Sequence, residues 1–212
     1  MSDWIRRDYQ GIGMTQSPPG RYLAALQKPY LGRVILCIDV SGSMATYEHG
    51  RTRLAHAVAG AQRFVAEAVD GNYEVGLILW DGGVHLSVPL SADPAPVLLA
   101  LSRASIAGGT NVTPALQAAT QVLGPLTGDR VIAVFGDGDI GAVGPAIAAS
   151  RSAAALGIRI IVRGLGEYAA AALNQIATPD AEARPEASVV RDAGDIERAI
   201  ASMASSLTIR RR

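Results

Sequence analysis

The stretch VIAVFGDGDIGAVG, residues 131–144, decides how this chain folds. It begins with an apolar run of the length of a buried strand and continues as GDGD, a sequence typical of a tight turn. A helix is predicted next, with Pro145 at its first position. A strand that ends in a polar turn and leads into a helix is the repeating unit of an α/β fold.

The same unit recurs on both sides of this stretch. Further buried strands are predicted in RVILCIDV, YEVGLILW and IRIIV, and segments with helical spacing of apolar residues separate them. VHLSVPL follows its predecessor after only three residues, so we expect it to run antiparallel, and Pro89 favours an edge position. The fold class is therefore α/β: a doubly wound, mainly parallel, Rossmann-like sheet with one antiparallel edge strand and helices on both faces.

Length and composition favour one folded domain. The chain has 212 residues, 49% of them hydrophobic and 18% charged, which suffices for a full core. We predict an N-terminal extension over residues 1–32, packed on the domain or partly flexible, a domain over 33–208 and a basic tail over 209–212. Cys37, the single cysteine, is expected to be a buried strand thiol.

Charge, composition and segment patterns argue against nucleic-acid partners, membrane insertion and secretion. The formal net charge is zero and aromatic residues make up only 5%, which disfavours nucleic-acid binding, with the basic tail Arg210–Arg212 as a local exception. No secretory signal and no membrane-spanning segment is visible, and we therefore expect a cytoplasmic protein without a membrane partner.

Polar loops after the predicted strands offer a set of oxygen ligands. DVSGSM follows the first core strand, FGDGD follows the strand at 131–135, and GGTN lies between two helices from which it could fold over the same sheet edge. Two carboxylates and three hydroxyls suit a hard cation, Mg²⁺ with Mn²⁺ as the alternative. The candidate metal ligands are Asp39, Ser41, Ser43, Thr110 and Asp137.

Each loop alone has an ordinary structural explanation. Ser41 and Ser43 could cap the next helix, Asp39 could accept backbone N–H groups, and Thr110 could be a loop residue before a helix. The three loops in one chain, in this order, favour the metal site.

The motif set DVSGS, GGT and GD at a strand end resembles the von Willebrand factor type A family, whose metal-ion-dependent adhesion site uses Asp-x-Ser-x-Ser with a distant Thr and Asp. The resemblance covers about residues 33–207 and is closest to bacterial, stand-alone intracellular members. It implies that Ser41, Ser43 and Thr110 approach the cation directly. It also implies that Asp39 and Asp137 hold the cation through water or hydrogen bonds, with one position left for a partner's carboxylate.

Two positions depart from the family pattern. Many members have Thr or Ser where this chain has Gly136, and this chain adds Asp139 two residues after Asp137. We expect Asp139 to be a turn residue. If it faced the metal instead, it would repel an acidic partner or occupy the coordination position that is left for the partner's carboxylate. The rim that would touch a partner comprises Gly42, Asn111, Gly138 and Asp139.

Rival explanations lack residues that their chemistry needs. The GDGDIG segment fits the dinucleotide fingerprint G-x-G-x-x-G, but its aspartates would face a pyrophosphate, and Arg163 stands where an acidic residue is expected. A haloacid-dehalogenase-like phosphatase using Asp39 would need a second aspartate where Ser41 stands, and a lysine. The only lysine is Lys28, which also excludes a Walker A loop.

These observations predict a non-enzymatic module that captures a partner's Asp or Glu carboxylate at a magnesium site, with no catalytic residues. The resemblance suggests an adaptor that serves an AAA+ ATPase or a multi-protein stress or defence assembly. The alternatives are the phosphatase and a structural subunit in which the metal only stabilises the loops.

Overall fold

A computed structural model describes residues 31–179 and 189–208. The strands are β1 (Gly32–Asp39), β2 (Tyr47–Glu48), β3 (Arg51–Thr52), β4 (Tyr73–Trp80), β5 (Val84–Ser91), β6 (Arg130–Gly136), β7 (Arg159–Leu165) and β8 (Val189–Val190). The helices are α1 (Arg53–Asp70), α2 (Ala95–Ser102), α3 (Thr113–Leu123), α4 (Val143–Ala155), α5 (Gly166–Asn174), α6 (Ile196–Ser202) and α7 (Ser205–Thr208). Short 3₁₀ turns span Gly42–Ala45 and Ala193–Asp195.

The strands form one large sheet and one small hairpin. The large sheet has the order β5-β4-β1-β6-β7-β8, and β2 pairs with β3 in the hairpin. β1 lies parallel to β4 on one side and to β6 on the other, so the winding of the chain reverses beside β1. β5 pairs antiparallel with β4 at the edge. The predicted doubly wound, mainly parallel sheet with one antiparallel edge strand is confirmed.

Helices cover both faces of the sheet. Alternate residues of β1 point to opposite faces: Val34, Leu36 and Ile38 pack with α1 and α6, whereas Ile35 and Cys37 pack with α3 and α4. This alternation explains the continuous apolar run, because a strand covered on both faces needs apolar side chains at every position. Burial also raises the pKa of the Cys37 thiol, which lies in the core as predicted.

Several element boundaries differ from the prediction. β1 begins at Gly32 instead of Arg33, and Pro145 is the third residue of α4 instead of the first. The closing helix, predicted as continuous, is divided into α6 and α7. The division falls where the backbone bonds tighten to 3₁₀ spacing: the Met203 N–H donates to the Ile200 carbonyl over 3.1 Å and the Ala204 N–H to the Ala201 carbonyl over 3.0 Å.

Some predictions fall outside the described residues. These are the helical turn before Pro29, the basic tail at 209–212 and nearly all of the N-terminal extension. Within 31–179 and 189–208, the helices are too short or too polar to span a bilayer.

Candidate metal centre

Loops after β1, β4 and β6 meet at the carboxyl edge of the sheet. Asp39 and Trp80 are paired in register as the last residues of β1 and β4, and Asp137 follows β6 directly. Residues 103–112, which contain the GGTN sequence, lie against all three strand ends through backbone hydrogen bonds: Ala107 N to Val40 O, Asn111 N to Asp81 O and Val112 N to Ile140 O. The third polar loop thus folds over the same edge as the other two.

The turn after β1 gathers Asp39, Ser41 and Ser43. Asp39 Oδ1 accepts the N–H of Ser41 over 2.8 Å, and the two serine hydroxyls lie 3.1 Å apart. The Gly42–Ala45 turn holds this arrangement, with Met44 fully buried beneath it. Asp39 is fully buried, and its second oxygen, Oδ2, has no hydrogen-bond partner in the described part of the chain.

Asp137 joins the same cluster from β6. Its Oδ1 accepts the Ser43 hydroxyl over 2.6 Å, and its Oδ2 accepts Arg53 Nη1 over 2.9 Å. The structure therefore connects four of the five predicted ligands in a continuous chain that runs from Asp39 through Ser41 and Ser43 to Asp137.

Burial raises the pKa of the Asp39 carboxyl from 3.8 to about 6. Desolvation is the largest cause, and the neighbouring Asp137 charge adds to it, while the hydrogen bonds from Ser41 and the nearby Asp137 backbone N–H act in the opposite direction. A buried carboxylate with one bare oxygen and a second carboxylate nearby is costly unless a cation compensates it.

Thr110 lies at this edge, but no hydrogen bond joins its side chain to another described residue. Its backbone passes close to Gly141, where φ is +79° and an added Cβ would lie 2.7 Å from the Thr110 carbonyl oxygen. Asn111 uses its Oδ1 to accept the N–H of Thr113 over 3.1 Å at the start of α3, so this predicted rim residue caps a helix.

The other predicted rim residues occupy the loop surfaces. Gly42 is exposed, Gly138 is half-buried, and an added Cβ would meet no atom within 4 Å at either position. Asp139 is exposed and its Oδ1 accepts the Gly141 N–H over 3.0 Å, a bond typical of a turn.

Gly136 departs from the family pattern because Trp80 takes up the space. A Cβ added at Gly136 would lie 3.3 Å from the Trp80 ring and 3.4 Å from Asp39 Oδ2. The indole is fully buried, and its Nε1, like Asp39 Oδ2, has no hydrogen-bond partner in the part of the chain that the structure describes. A larger residue at 136 would have to displace the ring or the carboxylate.

Sequence reasoning missed Arg53 and Glu48. Arg53 opens α1 and donates to Asp137 and, through Nη2, to Glu48 Oε1 over 2.5 Å; Glu48 lies on the β2–β3 hairpin, which was not predicted. Partial burial alone would lower the pKa of the Arg53 guanidinium, but the hydrogen bonds to Asp137 and Glu48 outweigh it and the pKa rises. A signal existed, because an arginine in the first turn of a helix opposes the helix dipole and needs another partner.

The residues present fit a small, hard cation. Aspartate and hydroxyl oxygens make up the cluster, and the bare Asp39 Oδ2 is an acceptor that a cation or its water would satisfy. Within 31–179 and 189–208, no three side chains of the His, Cys, Asp or Glu types form a metal-binding group, so any site here depends on hydroxyl ligands.

A doubly wound α/β domain with a cluster of carboxylates and hydroxyls where its winding reverses defines the class of this protein. The model of the von Willebrand factor type A domain matches residues 34–139. The chain therefore belongs to the von Willebrand factor type A domain family.

Solved structures share this fold. BatB from Bacteroides thetaiotaomicron, a conserved hypothetical protein, has 23% sequence identity and a TM-score of 0.65 over 83% of this chain and 98% of its own. The vWF domain of the type V pili tip protein Mfa5 from Porphyromonas gingivalis has 15% identity and a TM-score of 0.68 over 85% of this chain and 96% of its own. The pilus adhesin SpaC from Lactobacillus rhamnosus GG has 15% identity and a TM-score of 0.67 over 84% and 31%. No curated protein sequence matches the chain.

Proposed function

We propose that this domain is a non-enzymatic protein-binding module that uses a divalent cation to capture a carboxylate of its partner. Asp39, Ser41, Ser43, Thr110 and Asp137 would hold the cation. The observation that carries the proposal is the bare Oδ2 of Asp39, a buried carboxylate oxygen without a hydrogen bond beside Ser41 and Asp137. Mg²⁺ is the proposed cation because all of the donors are oxygen atoms, and Mn²⁺ is the alternative.

The side chains of the cluster are oriented for this role. The Ser43 hydroxyl hydrogen is directed to Asp137, and the Ser43 oxygen accepts the Ser41 hydroxyl over 3.1 Å, which leaves one lone pair of the Ser43 oxygen available. Ser43 is exposed at the surface. Asp39 is fixed by the Ser41 N–H and cannot move towards solvent without breaking that bond. A bound cation would supply an electrophilic position for a partner's carboxylate oxygen.

The family supports interaction over catalysis. Proteins that share this fold include a pilus adhesin and the vWF domain of a pilus tip protein, and the cluster offers no imidazole or thiolate to act as a base or nucleophile. We extend the proposal to a partner with an exposed Asp or Glu, in the cytoplasm, on an AAA+ ATPase. The resemblance of the motif set to bacterial stand-alone members is the basis for that extension.

Calorimetric titration of the full chain with Mg²⁺ and with Mn²⁺, with and without acetate as a simple carboxylate, tests the proposal. Wild type should bind, and acetate should tighten the binding. The Asp39→Ala/Ser41→Ala variant should not bind while remaining folded by circular dichroism. The matched control is Ser91→Ala/Asp93→Ala, a Ser–Asp pair at the end of β5 and in the turn that follows, whose side chains accept the N–H groups of Asp93 and Ala95.

Two results would contradict the proposal. Absence of binding to folded wild type in both conditions removes the metal site. The second result has two parts: acetate does not change metal binding, and the folded Asp39→Ala variant still binds an acidic partner. The metal would then only stabilise the loops.

A further inference from the structure

Arg53 connects the candidate metal centre to the β2–β3 hairpin. One guanidinium nitrogen lies 2.9 Å from Asp137 Oδ2 and another lies 2.5 Å from Glu48 Oε1. The Asp137 side chain is fully buried and the Arg53 side chain is 22% exposed, so this pair lies at the floor of the site and not on its outer surface.

The backbone holds Arg53 in place independently of Asp137. Its N–H donates to the Thr46 carbonyl over 2.9 Å, and the preceding Thr52 caps α1 by accepting the Ala55 N–H over 3.1 Å. Glu48 lies opposite Arg51 in the hairpin, and its side chain accepts Arg53 Nη2. A cation placed at a helix N-terminus is otherwise unfavourable, so the two carboxylates are what make this position tolerable.

The pairing changes what Asp137 can offer to a metal. One of its oxygens carries the Arg53 bond and the other carries the Ser43 bond, so both are engaged. The guanidinium charge, which Asp137 shares with Glu48, offsets part of the Asp137 charge, whereas no cationic side chain pairs with Asp39 among the described residues. A cation in the cluster would therefore meet less negative charge than two free aspartates provide.

We propose that Arg53 is a positioning residue that holds Asp137 towards Ser43 and weakens the affinity of the site for a free divalent cation, so that tight binding requires a partner's carboxylate. This inference rests on the proposed function and adds that the positive charge of Arg53 makes metal binding depend on the partner. Glu48 gives the guanidinium a second acceptor, so Arg53 keeps one partner if Asp137 turns towards a cation.

The test compares Mg²⁺ and Mn²⁺ affinities of full-length Arg53→Gln, Arg53→Lys and wild type by calorimetry without acetate. Arg53→Gln should bind about ten-fold more tightly, because one positive charge near the site is removed. Arg53→Lys keeps the charge and should remain within about two-fold of wild type. The matched control is Arg63→Gln, which removes a positive charge from the exposed side of the same helix, where Arg63 pairs with Glu197.

The outcomes separate this inference from the proposed function. If Arg53 were purely structural, the metal affinity of Arg53→Gln would be equal to or lower than that of wild type. That result overturns the inference, whereas metal binding by wild type still supports the metal site. A gain in Arg63→Gln equal to that in Arg53→Gln also overturns it, because the effect would then be one of net charge. If neither wild type nor any Arg53 variant binds metal, with or without acetate, the proposed function itself fails.

Discussion

Asp39 is a residue whose burial makes sense only with a counter-charge. The unfolded carboxyl loses its proton around its usual pKa of 3.8, whereas the folded one does so around 6. Between these values the folded chain binds more protons than the unfolded chain, so rising pH destabilises the metal-free fold. The shift of about two pKa units corresponds to about 3 kcal/mol, which is fully present above pH 6.

This argument gives a prediction for the metal-free protein. In the presence of a chelator, the free energy of unfolding of wild type should fall as the pH rises from 3.8 to about 6, and Asp39→Asn should remove most of that fall. At pH 7 Asp39→Asn should be more stable than wild type by about 1–2 kcal/mol, because the amide removes a buried charge but still buries a polar group. Urea unfolding at several pH values measures both.

Addition of Mg²⁺ provides the internal control. It should stabilise wild type and leave Asp39→Asn unchanged, which reverses the order of the two proteins. If Asp39→Asn were less stable than wild type in the presence of chelator, the role of Asp39 would be to stabilise the turn and not to bind a cation.

At the scale of elements, the loop after β6 positions the GGTN loop. Gly141 has φ of +79°, and its Cα lies so close to the second loop that an added Cβ would be 2.7 Å from Thr110 O and 2.9 Å from the Asn111 Cα. Backbone atoms cannot move aside as the end of a flexible side chain can, so a larger residue at 141 must push the two loops apart.

Gly141→Ala should therefore displace Thr110, reduce Mg²⁺ affinity by at least about ten-fold and lower stability by about 1–3 kcal/mol. Gly138→Ala is the matched control in the same loop, since an added Cβ there meets no atom within 4 Å and should change stability by less than about 0.5 kcal/mol. Calorimetry and thermal unfolding of the two variants measure the effects. Equal metal affinities in the two variants would show that the position of Thr110 does not matter for binding.

The sequence predicted regular elements better than contacts between loops. Strands such as β1 and β6 can be recognised in the sequence because burial on both faces requires an unbroken apolar run. The β2–β3 hairpin has only two residues in each strand and leaves no such pattern. The motif set predicted that Asp137 lies with Ser43, 94 residues away, whereas Arg53 belongs to no motif and only the folded sheet shows that it pairs with Asp137.

At the scale of the whole domain, the two ends of the sheet hold different groups of polar residues. The carboxyl edge holds the candidate metal centre, and at the opposite edge Arg159 and Tyr73 bond to the closing residues Ser206 and Leu207. There Arg159 donates to both Asp129 oxygens, over 3.0 and 2.6 Å, and to the Ser206 carbonyl over 3.2 Å. The Tyr73 hydroxyl has two acceptors within 2.5 Å, Asp129 Oδ2 and the Leu207 carbonyl oxygen.

This separation predicts that stability and metal affinity can be changed independently. Tyr73→Phe removes the one hydroxyl donor that the half-buried Asp129 carboxylate and the Leu207 carbonyl share, so it should lower the free energy of unfolding by about 1–3 kcal/mol. The Mg²⁺ affinity should stay within about two-fold of wild type, because Tyr73 begins the strand whose far end is Trp80 at the site. Tyr168→Phe is the matched control, since that ring is 74% exposed. Urea unfolding and calorimetry on the same samples test both halves; a loss of metal affinity in Tyr73→Phe would mean that the two ends of the sheet are coupled through β4.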